Sequence, residues 1–169
     1  MAPAAIPLAR VDRESRTECN FPADDGRAKI RHRFQMSVGP HPGGVGELTA
    51  AFAEFAEAHA LPADVRRSIN ISLDELLANA LSHGRRGRDP CAVTVEVQLD
   101  WERVTVIFTD DGPPFDPFAR ETPDTTLSVE ERPLGGLGIH LVKQLMDQVS
   151  YERRAGQNVV VLVKRLVKG

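Results

Sequence analysis

The order of strand-like and helix-like segments in this chain predicts an α+β two-layer sandwich, a mostly antiparallel mixed sheet with three helices on one face. Three observations support that expectation. Two pairs of strands are each joined by a turn of only a few residues, as hairpins are. The helical segments are amphipathic and suited to gathering on one side of a sheet. The parallel crossovers of a doubly wound dinucleotide fold are missing.

Taken in order, residues 1 to 28 are rich in Pro, Ala, Arg and Asp without a sustained apolar period, which predicts a flexible amino-terminal arm before a single domain over 29–169. Lys29 to Met36 alternates apolar and polar residues, as a half-buried edge strand does. The breaker cluster Gly39 to Gly44 precedes a helix from about Val45 to His59, with Leu48, Phe52 and Phe55 at helical spacing. Asp64 is the expected N-cap of the next helix, which runs to Gly84. Val65, Ile69, Leu73, Leu76, Leu77, Ala80 and Leu81 form its apolar face. Strands follow at Ala92 to Leu99 and Arg103 to Thr109, rich in β-branched residues and joined by Asp100-Trp101-Glu102. Phe118 to Leu134 is poor in apolar residues and long for a loop, as functional segments such as lids, or disordered ones, are. A helix from about Ile139 to Asp147 and strands at Gln148 to Arg154 and Asn158 to Leu166 complete the chain.

The totals exclude several classes. With 169 residues, a hydrophobic fraction of 41% and a charged fraction of 27%, one domain with a substantial core is expected. A net charge of −3 gives no electrostatic reason to expect nucleic acid or an anionic membrane as partner. The basic run Arg85, Arg86, Arg88 reads as a solvated helix end. Cys19 and Cys91 show neither metal-ligand spacing nor a disulfide framework. With no signal peptide or membrane span apparent, a cytoplasmic setting is expected.

Three patterns carry candidate chemistry. Glu75 and Asn79 stand one helical turn apart at the margin of the apolar face, with Ser72 on the same flank. Such a pair could hold a metal ion and orient a nucleophile, or be polar border residues. Asp110-Asp111-Gly112 at a strand end fits Asp-x-Gly: the carboxylate could accept from an exocyclic amine, and the glycine lets a ring approach. Alone it reads more readily as a plain turn, since Asp and Gly both favour turns. Gly135-Gly136-Leu137-Gly138 before a helix could present amides to an anion or serve as a hinge. It fits neither a Walker loop nor a dinucleotide fingerprint.

Together the three are specific. Ser72 to Ala80 resembles the N box of the GHKL ATPases, the superfamily of gyrase, histidine kinases and MutL; Asp110-x-Gly112 resembles their adenine box and Gly135 to Gly138 their second glycine box. Asp-Gly-Pro-Pro-Phe-Asp-Pro and Gly-Gly-Leu-Gly-Ile-His-Leu-Val-Lys are similar to the bacterial anti-sigma-factor serine/threonine kinases, and the likeness covers about residues 30 to 166. It implies Mg²⁺ and ATP as cofactors, with Asn79 as metal ligand and Glu75 as general base. It further implies Asp110 and Gly112 at the adenine, Gly136, Leu137 and Gly138 at the phosphates, and Gly135 as a lid hinge. His83 reads as an ordinary surface residue, and His140 could face either way. The implied partner is a STAS-domain anti-sigma-factor antagonist, with a sigma factor as a further candidate. A homodimer is implied through the first strand and helix, near Arg31, Arg33 and Glu47. The alternative is a non-catalytic ATP-sensing module that switches partners without phosphorylating them.

Overall fold

A computed structural model describes residues 29–39, 41, 43–83, 91–119 and 137–166. The expected arm, most of the lid, Gly135, Gly136, the basic run and the glycines expected to end the second helix lie outside the described residues. Along the chain stand β1 (His32–Val38), α1 (Gly44–Ala58), α2 (Ala63–His83), β2 (Val93–Leu99), β3 (Arg103–Asp110), α3 (Leu137–Leu145), β4 (Gln148–Arg154) and β5 (Gln157–Arg165).

The strands form one sheet in the order β1-β2-β3-β5-β4. Every pairing is antiparallel, so the mixed component expected from sequence is absent among the described residues. The reason is topological. One helix joins β3 to β4, which therefore run the same way, but β5 inserts between them and no parallel ladder forms. Two helices join β1 to β2, which returns the chain to pair antiparallel.

Both hairpins are explained locally. Ala155 and Gly156 have φ of 49° and 81°, the two left-handed residues of a type I′ turn between β4 and β5. Between β2 and β3, Asp100 Oδ1 accepts from the backbone N–H of Glu102 at 2.7 Å and of Arg103 at 2.9 Å, an Asx-type turn.

Alternate strand residues build the core. Val93, Val95, Val97, Leu99, Val104, Val106, Phe108, Val160 and Leu162 share one buried cluster with Leu48 and Phe52 of α1, six residues of α2 and Ile139 and Val142 of α3. Only one set of alternates takes part, which puts all three helices on the same face. Burying side chains of this size contributes about 1.5–3 kcal/mol each. That outweighs differences in helix propensity of under about 1 kcal/mol per residue, so packing rather than propensity holds α2. Leu81, expected on the apolar face, is 36% exposed and lies outside the buried cluster. Asp64 lies inside the first turn rather than at the cap, where its charge complements the helix dipole.

Candidate nucleotide pocket

The central region of α2 presents two different faces. Leu73, Leu76, Leu77 and Ala80 anchor it to the sheet, and half-buried Glu75 and Asn79 lie on the flank toward α3. Asn79 Nδ2 donates to the Glu75 carbonyl at 2.9 Å, one turn back, which fixes the direction of the amide. Ser72, expected beside this pair, is fully buried and donates to the Ser68 carbonyl at 2.8 Å. Its hydroxyl is spent on its own helix.

Gly138 meets Glu75 directly. A Cβ at position 138 would overlap the Glu75 carboxyl group, which would have to move aside. The helix expected from about Ile139 begins two residues earlier, at Leu137, and Gly138 is therefore in the first turn of α3 rather than in the preceding loop. This places the Glu75 carboxylate against the helix end whose dipole favours negative charge.

Asp110 is the last residue of β3, flanked across the sheet by Val93 and Asn158. It is buried, and its Oδ1 accepts from Gly112 N at 2.9 Å and Asn158 Nδ2 at 2.8 Å. Asp111 points elsewhere: its Oδ1 accepts from Ala92 N at 2.8 Å and extends the β2–β3 pairing. Cys91 Sγ lies 3.6 Å from Asp110 Oδ1. Burial first, then the Asp110 charge and the Asp111 hydrogen bond, push its thiol up to about 12, which leaves it protonated and unreactive.

Between these groups lies a pocket with about 360 Å³ of unfilled space, part of it open to solvent. Leu76, Ala80, Phe108 and Val160 make it apolar; Pro113, Phe115 and Pro117 form a wall; Asn79, Asp110 and Asn158 supply the polar atoms. Lys143 of α3 donates to the Phe118 carbonyl at 2.9 Å and holds the end of the wall loop to the helix. His140 Nδ1 is buried with no hydrogen-bond partner among the described residues.

Residues 40–164 match the sequence profile of the histidine kinase-like ATPase domain. The chain belongs to that family. Membership implies an ATP site. Among relatives of this ATPase domain, the serine/threonine-protein kinase BtrW of Bordetella bronchiseptica is 29% identical over 100 residues, 59% of this chain and 70% of its own. The serine-protein kinase RsbW of Bacillus subtilis is 26% identical over 134 residues, 76% of this chain and 82% of its own. The solved structure of the RsbU and RsbW domains of Rv1364c from Mycobacterium tuberculosis shares the fold with a TM-score of 0.59. It is 15% identical, over 80% of this chain and 32% of that longer one.

Of the residues singled out from sequence, the fold brings Asn79 and Asp110 to one cavity, with Glu75 and Gly138 in contact beside it and Gly112 bonded to Asp110. Gly136 lies outside the described residues, and Leu137 opens α3. Sequence reasoning missed Asn158, Tyr151 and Arg153. Tyr151 Oη and Arg153 Nη1 donate to Asn158 Oδ1 at 3.0 and 2.8 Å, and the same guanidinium nitrogen donates to the Gly112 carbonyl at 2.8 Å. The available signal was an asparagine opening the run Asn-Val-Val-Val-Leu-Val, since asparagine is disfavoured in strands.

Proposed function

We propose that this protein is an ATP-dependent serine/threonine kinase that phosphorylates a STAS-domain anti-sigma-factor antagonist in a partner-switching pathway. The observation that carries the reading is the convergence of three elements: Asn79 and Asp110 line one cavity, and Glu75 on the same flank of α2 packs on Gly138 of α3. The names of the relatives agree with it.

In this reading Asp110 accepts a hydrogen bond from the adenine amine, and Gly112 keeps the floor beneath the base free of a side chain. The phosphates extend toward the first turn of α3, which contains Gly138, and toward Gly136 just before it. The groups suit Mg²⁺ and ATP: an amide oxygen at Asn79, a carboxylate at Glu75 and a helix amino terminus. Asn79 would hold the ion, which supplies charge neutralisation on the phosphate oxygens. Glu75 takes the proton of the attacking serine or threonine hydroxyl. The hydroxyl oxygen bonds the γ-phosphorus, the bond from that phosphorus to the β,γ-bridging oxygen breaks, and ADP leaves with its electron pair.

Phosphorylation of the antagonist would release a sigma-factor-binding regulator from it, and this chain or its homodimer is that regulator in the reading. The edge strand β1 supports a pairing surface. Ile30 beside it is 43% exposed, and Arg31 lies 3.4 Å above the Trp101 ring. Arg33 is engaged with Glu96 at 2.9 Å and Glu47 with His41 at 3.5 Å. No helix among the described residues is long and apolar enough to cross a membrane.

The test is transfer from γ-labelled ATP to the STAS-type protein encoded nearest to this chain. Glu75→Gln is expected to lower transfer by at least about 100-fold with ATP binding intact, as loss of a positioned base does. Transfer unchanged in Glu75→Gln removes that residue as base. Tight ATP binding by the wild type with no transfer to any antagonist favours the ATP-sensing module instead.

A further inference from the structure

We propose that Asn158, held by Tyr151 and Arg153, is a positioning residue that sets which purines the pocket accepts, favouring a 6-amino over a 6-oxo ring. The inference rests on the nucleotide reading above and concerns a residue outside all three sequence patterns.

The wall loop explains the need for it. Pro113, Pro114 and Pro117 lack backbone N–H groups, so this loop cannot be held as a strand is. Asn158 substitutes for a strand neighbour. Its Nδ2 donates to the Pro113 carbonyl at 2.9 Å, and its Oδ1 accepts from Phe115 N at 3.2 Å. Pro113 and Phe115 both face the cavity, so one buried amide sets the position of that wall.

The orientation of the amide follows from its neighbours. Around Oδ1 stand the Phe115 N–H and the Arg153 guanidinium, which can only donate. Around Nδ2 stand the Pro113 carbonyl and the Asp110 carboxylate, which accept. A flipped amide would lose all four bonds, so the assignment is unambiguous. Tyr151 then donates to Oδ1 as well.

The consequence falls on Asp110. Its Oδ1 is occupied by Gly112 N, Asn158 Nδ2 and the weaker Cys91 thiol. Its Oδ2 accepts no hydrogen bond from the described residues, while the side chain lines the cavity. A ligand therefore meets one carboxylate oxygen that accepts and cannot donate. A 6-amino purine satisfies it; a 6-oxo purine presents oxygen to oxygen. Both protons of Asn158 Nδ2 are used within the protein, so it acts through Asp110 and the loop rather than on the base.

Titrating ATP and ITP into the wild type, Asn158→Asp and Arg153→Met tests this. Asn158→Asp keeps the shape but turns an oxygen toward Asp110 Oδ1. Arg153→Met removes the donor to Asn158 and Gly112 at a partly exposed site, and carries the test should Asn158→Asp fail to fold. Each variant is expected to lower the ATP:ITP affinity ratio by about tenfold or more, the scale of one charge-assisted hydrogen bond. A lower melting temperature with both nucleotides weakened equally, so that the ratio stands, overturns the inference and leaves the nucleotide reading intact. A wild type that binds neither nucleotide overturns the reading itself.

Discussion

The two flanks of α2 carry the same chemical pair. On the side toward α3, Glu75 and Asn79 place a carboxylate and an amide one turn apart; on the side toward α1, Asn70 and Asp74 do the same in reverse order. Their surroundings differ. Glu75 rests on Gly138 at a helix amino terminus, and Asn79 faces a cavity shared with two strands. Asn70 and Asp74 look into an open groove of about 730 Å³, with Phe52, Ala53 and Ala56 opposite and Arg66 and Arg67 alongside. There Asn70 Oδ1 is buried without a partner among the described residues, and burial alone raises the proton affinity of Asp74. A carboxylate–amide pair at helical spacing is thus not a site by itself. What the second element brings to it decides: a glycine and a helix end in one case, small apolar side chains in the other.

Substitutions can break this comparison. Gly138→Ala should have the largest effect, since its methyl group would displace the Glu75 carboxylate. Transfer to the antagonist should fall by about 100-fold, the scale of a misplaced catalytic group. Retained transfer would mean that Glu75 works from some other position. Asp110→Asn should raise the ATP dissociation constant roughly 10- to 100-fold in calorimetry, because a donor can replace the free acceptor oxygen. An unaltered constant would remove Asp110 from base recognition.

On the other flank, Asp74→Asn should leave transfer within about twofold, the expectation for a residue outside the site. Its effect should be on stability alone. Burial raises the folded-state pKa of Asp74, so its favourable contribution is present below the ordinary value of 3.8 and is lost as pH rises through the raised value. The neutral variant should therefore melt slightly higher than wild type at pH 7, by under about 2 °C, with the gap closing in acid. A lower melting point at pH 7 would show that the charge is stabilised by something on the α1 side.

The fold was legible because its signals are local. Amphipathic periods, β-branched runs and short turns lie within a few residues of one another, and they gave the elements in order. Misplaced ends, such as the start of α3, followed from reading Gly138 as a loop glycine when contact with Glu75 lets it sit in a helix. Glu75, Asn79 and Asp110 could be singled out as candidates because each belongs to a short pattern. Asn158 was not, because its meaning depends on register: it stands opposite Asp110 across 48 residues of chain, and nothing near it in sequence reports that pairing. Tyr151 and Arg153 have meaning only once β4 is laid against β5.

The insertion of β5 between β3 and β4 also bears on the order in which a newly made chain matures. During synthesis β3 emerges early and pairs with β2, yet its other edge stays open until the last described strand is released. Until then Asp110 lacks its asparagine, and the proline loop lacks the amide that holds Pro113 and Phe115. Nucleotide affinity should thus be acquired only once β5 has been made, after most of the helical layer can form, so a nascent chain cannot hold ATP ahead of completing its sheet.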